Sequence, residues 1–257
     1  MKIQKALSSL ICIILLLSVI ATHVMASGEA KNWYIVKKGA GCSPDFPCDS
    51  EALLEYNAIC IDAEAANSGE KIIYLTFDAG YENGNIERIL DVLREKDVPA
   101  AFFILSNLIN KSTDIVKRMA DEGHLLCNHT KNHKDMTTLT DTEMQKNLEA
   151  LEELCLQKVG AEMSKIFRFP EGKYSEEKLL LLKKLGYRTA FWSTAYDDWD
   201  NLRQPSEDVA MKKLIGQTHP GAIFLLHPTS ETNAKILPKL IDYWRNEGYT
   251  FGRIDEM

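Results

Sequence analysis

The chain has 257 residues, 45% hydrophobic and 26% charged, with a formal net charge of −7. That length suffices for one large α/β domain or two small ones. The acidic balance excludes a nucleic-acid binder, because no basic stripe exists to neutralise phosphates.

Residues 1–26, MKIQKALSSLICIILLLSVIATHVMA, read as a secretory signal peptide. Lys2 and Lys5 form a basic start, a mostly apolar stretch runs from Ala6 to Ala21, and Val24-Met25-Ala26 resembles a small-residue cleavage site. An uncleaved anchor is the alternative, and it is the only route to a membrane; the apolar stretch is slightly short for a full span. Two of the 30 basic residues precede Ser27 and no acidic residue does, so the remainder carries 28 basic against 37 acidic side chains, net −9. Five cysteines lie beyond the leader. Cys42 and Cys48 flank a Pro-containing loop and could bridge, with Cys60 as a competitor. Cys127 and Cys155 sit in apolar surroundings and are expected as buried small hydrophobes.

Residues 27–70 are expected as an N-terminal arm packed on the domain, without a core of its own. WYIV (33–36) is expected as an edge strand and EALLEYNAI (51–59) as a short helix. From residue 71 to 257 short apolar runs alternate with amphipathic stretches. IIYLTFD (72–78) is a strand, and IERILDVLREKD (86–97) has helical spacing at Ile86, Ile89, Leu90 and Leu93. AAFFIL (100–105) is a strand, and 112–123 is a helix opened by a Ser/Thr cap and closed by Gly123. LLCNHT (125–130) precedes a long helix at 141–160. IFRFP (166–170) leads to a helix at 175–186, where Ser175 is the expected N-cap and Glu176 and Glu177 complement the dipole. RTAFW (188–192), a helix at 206–217 and AIFLLH (222–227) follow. A helix at 233–248, bent or interrupted at Pro238, and TFGRI (250–254) close the chain.

Seven strands thus alternate with six helices. The strands are apolar runs without strict polar alternation, hence buried on both faces of a parallel sheet, either doubly wound or a barrel. No Gly-rich phosphate loop follows the first strand. Neither a GxSxG elbow nor an HExxH pair is present.

Chemistry collects at the carboxyl ends of those strands. The first ends on Asp78, the third runs into His129 and His133, the fourth carries Arg168 and Pro170, the fifth is followed by Asp198 and Trp199, and the sixth ends on His227. A barrel or open α/β sheet builds its active site at this rim. Singly, each has a plain structural reading: a cap, surface histidines, a salt bridge, a satisfied core histidine. Jointly they converge on one face, as chance placement would not. His124 and His219 precede strands at the far end of the sheet and are read as structural.

TFDAG (76–80), HTKNH (129–133), RFPEG (168–172), DDW (197–199) and LLH (225–227), in that order, resemble the five motifs of the polysaccharide deacetylases, the NodB-homology group of carbohydrate esterase family 4. TFDxGYENG, with HPGAI and Ser-x-x-Asn-Ala near the end, further resembles the subgroup that forms muramic δ-lactam in spore cortex peptidoglycan. The resemblance implies a deformed (β/α) barrel of about seven strands and an enzyme acting on a cell-wall glycan; with the leader it is expected to be exported, and it is expected to be a monomer. It implies Asp78 as base, Arg168 as its orienting partner, His227 as acid with Asp198 beside it, and His129 and His133 as metal ligands. Pro170, Trp199, Tyr81 and Glu82 are then expected against substrate, with a backbone N–H near Glu171 in an oxyanion hole. Two residues depart from the pattern. Ala79 stands where the family has a third metal ligand, so a divalent metal, zinc or another, is expected to be weakly held or dispensable, with Glu82, Asn83 or Asp135 as possible helpers. Glu171 stands where the subgroup often has a basic residue. N-acetylmuramic acid is the expected sugar. The alternatives are an N-acetylglucosamine or chitin-type substrate, and a catalytically inactive glycan-binding module.

Overall fold

The computed structural model describes residues 28–257; the leader reading falls outside them. The strands are β1 Lys31–Asn32, β2 Ala58–Ile59, β3 Ile72–Ala79, β4 Ala100–Ile104, β5 Leu125–Asn128, β6 Ser164–Phe167, β7 Lys173–Tyr174, β8 Arg188–Ala190, β9 Thr194–Ala195, β10 Ala222–Leu226 and β11 Thr250–Phe251. The helices are α1 Ala63–Ser68, α2 Asn85–Glu95, α3 Ser106–Lys111, α4 Thr113–Asp121, α5 Asp141–Val159, α6 Glu176–Lys184, α7 Glu207–Ile215 and α8 Glu231–Asn246. All seven expected strands and all six expected helices are present.

The main sheet runs β2-β8-β6-β5-β4-β3-β10-β9, with β11 also on β3, and its strand pairs are parallel. The sheet curls round on itself. Residues 188–190 pair with β6 while residues 194–195 pair with β10, so one stretch of chain spans both ends of the curl. This is the expected deformed barrel.

Alternation along the strands sorts two cores. Tyr74, Phe103, Cys127, Ile166, Ala190 and Ile223 fill the inside. Ile73, Leu75, Phe77, Phe102, Leu126 and Phe224 pack outwards against the helices. In α2 the apolar stripe Ile86, Ile89, Leu90 and Leu93 is buried, while Glu87, Arg88, Asp91 and Arg94 stay exposed. Ser175 caps α6 by accepting from the Lys178 N–H at 3.3 Å. Thr140 and Glu143 form a capping box on α5.

Several local expectations change. Ser112 makes no side-chain cap, because α3 runs directly into α4 and Ser112 lies between two helices. The α8 helix continues through Pro238 as one element. The arm is woven in more deeply than expected. β2 is a strand of the main sheet beside β8, and Ile61 bridges to Ala222. Trp33 lies outside any strand; its ring stacks on Phe191 at 4.4 Å and its indole N–H donates to the Trp192 carbonyl at 3.0 Å. Trp33, Leu53, Cys60 and Ile61 share a core with Phe167, Phe169 and Phe191. Among the described residues Cys42, Cys48 and Cys60 are all free, so the possible Cys42–Cys48 bridge is not formed. Cys127 and Cys155 are free and fully buried, as expected.

Candidate active site

The alternation that fills the barrel also aims its rim. Two residues beyond inward-facing Thr76, Cys127, Ile166 and Leu225 stand Asp78, His129, Arg168 and His227. Asp78 and His227 border a cavity of about 540 Å³ lined also by His133, Phe169, Glu171, Trp192, Trp199 and Leu225, and His129 and Arg168 adjoin it through Asp78.

Arg168 is fully buried and fixed on every side. One terminal N–H donates to Asp78 Oδ1 at 2.8 Å, Nε–H donates to the Ala190 carbonyl at 3.0 Å, and the second terminal N–H donates to the Phe191 carbonyl at 3.2 Å. Its guanidinium lies over the Phe103 ring, 4.0 Å from the centroid. Burial alone would raise the Asp78 pKa; the facing His129, the Arg168 guanidinium that bonds it and His227 together outweigh burial and hold the carboxyl below its ordinary range.

His129 Nδ1 pairs with the Arg168 carbonyl at 2.9 Å. A carbonyl only accepts, so Nδ1 carries the proton and Nε2 is left with its lone pair, 3.5 Å from Asp78 Oδ2. Burial lowers the His129 pKa to about 4, so the ring is neutral at neutral pH. The His133 ring lies 5.0 Å away, its backbone in the left-handed region at φ 57. Ala79 is buried on the other face of β3, among helix-packing residues. Two imidazoles, one backed by a carbonyl, therefore suit a cation. Among the described residues no group of three or more His, Cys, Asp or Glu side chains could hold a metal.

Opposite, His227 Nδ1–H donates to Asp198 Oδ1 at 2.7 Å and its backbone N–H to Oδ2 at 2.8 Å. Burial would lower the His227 pKa, but the fully buried Asp198 carboxylate prevails and raises it.

Three of the four residues expected against substrate lie off the cavity wall. Glu82 turns back to α2, where its carboxylate accepts the Gly84 N–H. Tyr81 is bonded through its hydroxyl to Asn201 at the exposed rim. Pro170 is buried between its lining neighbours Phe169 and Glu171. Trp199 lines the cavity and is 66% exposed, free to meet a ligand. Asp135 caps a turn, accepting from Thr137 N–H at 2.9 Å, and Asn83 Nδ2 donates to the Thr229 carbonyl at 2.8 Å, so neither is turned to the histidines. His124 and His219 are buried, and neither lines the cavity. Sequence reasoning missed Phe103, Trp192 and Leu225, which lie in apolar runs that read only as core. It also missed Asn233, whose Ser-x-x-Asn setting was its one visible signal.

A curled parallel sheet with a carboxylate and a carboxylate-backed imidazole facing one apolar-walled cavity has the parts for acid–base hydrolysis. Residues 65–190 match the polysaccharide deacetylase family. The chain is 37% identical over 256 residues to the peptidoglycan-N-acetylmuramic acid deacetylase PdaA of Bacillus subtilis, covering 99% of this chain and 96% of that one. It belongs to the polysaccharide deacetylases, hydrolases of amide bonds. The solved structure of Bacillus subtilis PdaA, a family 4 carbohydrate esterase, matches with TM-score 0.83 at 38% identity, over 89% of this chain and 96% of that one. A family 4 carbohydrate esterase from Bacillus anthracis matches with TM-score 0.71 at 36% identity, over 89% and 95%.

Proposed function

We propose that the protein hydrolyses the acetamide of N-acetylmuramic acid residues of peptidoglycan outside the cell, releasing acetate and leaving an amine that can condense with the lactyl carboxyl, with loss of water, to the muramic δ-lactam of spore cortex. The observation that carries this is the opposition of Asp78 and His227 across one cavity, each held in the charge state its task needs.

Asp78, kept ionised by Arg168, takes a proton from water as it attacks the acetamide carbon. His227, kept protonated by Asp198, gives its proton to the departing amine. Trp199, Trp192, Phe169 and Leu225 enclose the acetyl and sugar in apolar surface. The backbone N–H of Glu171 is the assigned donor to the oxyanion. His129 and His133 would hold a divalent cation, zinc or another, loosely, since Ala79 offers no further ligand. When bound, such a cation polarises the acetyl carbonyl and lowers the pKa of water. Metal analysis after dialysis is expected to find less than one equivalent; tight stoichiometric zinc would overturn weak binding.

One observation favours a second substrate. Glu171 stands at the cavity mouth, 2.6 Å from Lys173 Nζ, and an acid there suits an uncharged sugar better than one bearing a carboxylate. Incubation of the mature protein with peptide-free muramic glycan and with N-acetylglucosamine oligomers separates the two. Acetate and lactam released from the first alone support the main reading. Acetate from the oligomers alone would assign the site to N-acetylglucosamine.

A further inference from the structure

The Asp198–His227 pair does not stand alone. Its carboxylate is fully buried, and among the described residues no lysine or arginine pairs with it. The missing partner comes from the first turn of α8. Asn233, 2% exposed, donates from Nδ2 to Asp198 Oδ2 at 2.6 Å and to the His227 carbonyl at 3.0 Å. Both receiving atoms can only accept, so the amide orientation is set by chemistry: nitrogen faces the pair and Oδ1 faces away. Oδ1 accepts the Tyr196 hydroxyl, and the Asn233 backbone N–H is capped by Ser230 Oγ at 3.1 Å. Ser230 Oγ–H in turn donates to Gln204 Oε1, and Gln204 Nε2 donates to the Asp198 carbonyl at 2.9 Å.

One side chain thereby bridges the two residues that must keep register for proton delivery. Held by His227 alone, through one backbone N–H and one ring N–H, the carboxylate could rotate or draw in water. With Asn233 in place, Oδ2 is occupied twice and only Oδ1 is left for the His227 ring. We propose that Asn233, locked by Tyr196 and Ser230, is a positioning residue that fixes Asp198 and, through it, the proton donor His227. This rests on the acid role assigned to His227.

The test compares Asn233→Ala and Asn233→Asp with wild type, using folded protein verified by thermal unfolding. Asn233→Asp keeps the side-chain size but, when ionised, donates no hydrogen bond. Each is expected to lose roughly 10- to 100-fold in kcat with KM within about twofold, the usual scale for a group supporting a catalytic residue. Tyr196→Phe, which leaves Asn233 in place, is expected to lose less. The low-field proton resonance of the His227 ring N–H should shift in both Asn233 variants, a signal that a purely structural role would leave unmoved. In an Asp198→Asn background, Asn233→Ala should cost little more, because its target is gone. Full kcat in Asn233→Ala, an unshifted resonance, or equal losses in both backgrounds would overturn the proposal. Full activity in His227→Ala would instead overturn the acid assignment beneath it.

Discussion

Asp198 has no solvent contact, and the partner that balances its charge is an imidazole. That choice fixes the sign of a pH effect. The groups facing His227 are Asp198, Asp78 and Arg168, and the carboxylate of Asp198 is the dominant one in holding its pKa above the ordinary histidine value. A general acid works only while protonated, so kcat/KM should fall as pH rises through that raised pKa. Asp198→Asn removes the charge that raises it, and the alkaline limb should move to lower pH on soluble glycan oligomers. An unmoved limb would mean that another group titrates there. Asp78→Asn should abolish turnover in a protein that still folds, with a lowered unfolding midpoint because buried Arg168 loses its counter-charge. At this scale the sequence was legible for the polar members, because strand alternation places residue 78 above 76 and residue 227 above 225. It was silent for Phe103, and for Asn233 the Ser-x-x-Asn setting marked a helix start but not the partners across the barrel.

The elements that surround this rim were readable in proportion to their length. β3, β4 and β10 are apolar runs buried along nearly their whole length, and α2 shows a full amphipathic stripe. Two-residue strands such as β2 and β9 have no period to read, and α3 offers only Leu108 and Ile109 as buried residues. The depth of the arm's attachment was hidden for the same reason, because it runs partly through two-residue strands, β1 on β7 and β2 on β8, and one bridge. That attachment depends on Gly221. Its φ is +75, in the left-handed region, and an added Cβ would run into the Asp62 carbonyl oxygen. The Asp62 N–H donates to the Gly221 carbonyl at 2.9 Å, tying the arm to the start of β10. Gly221→Ala therefore combines backbone strain with overpacking and should destabilise by about 3 kcal/mol. Urea unfolding measures this; a loss below about 1 kcal/mol would mean that the arm is held elsewhere.

For the whole molecule, the far end of the barrel sets how stability responds to acid. His124 is 7% exposed, its ring is edge-on to Phe102 at 5.5 Å, and neither ring nitrogen has a hydrogen-bond partner. Burial lowers its pKa to about 4. In the unfolded chain the same ring titrates near 6.5. As pH falls, the unfolded state therefore binds the proton first. The stability due to keeping this ring neutral is complete above about pH 6.5 and is lost progressively towards pH 4, with roughly 3 kcal/mol at stake. His219 and His129, also lowered by burial, act in the same direction. Replacing an unpartnered imidazole with an apolar side chain forfeits no hydrogen bond. His124→Leu should thus unfold at nearly the wild-type urea midpoint at pH 7.5 and at a higher midpoint at pH 5. Parallel losses in both proteins between those values would show that His124 takes up its proton without unfolding, through a local opening at the base of the barrel. The catalytic rim would then be insulated from that opening by the interior layer of Tyr74, Phe103 and Ile223 that separates the two ends.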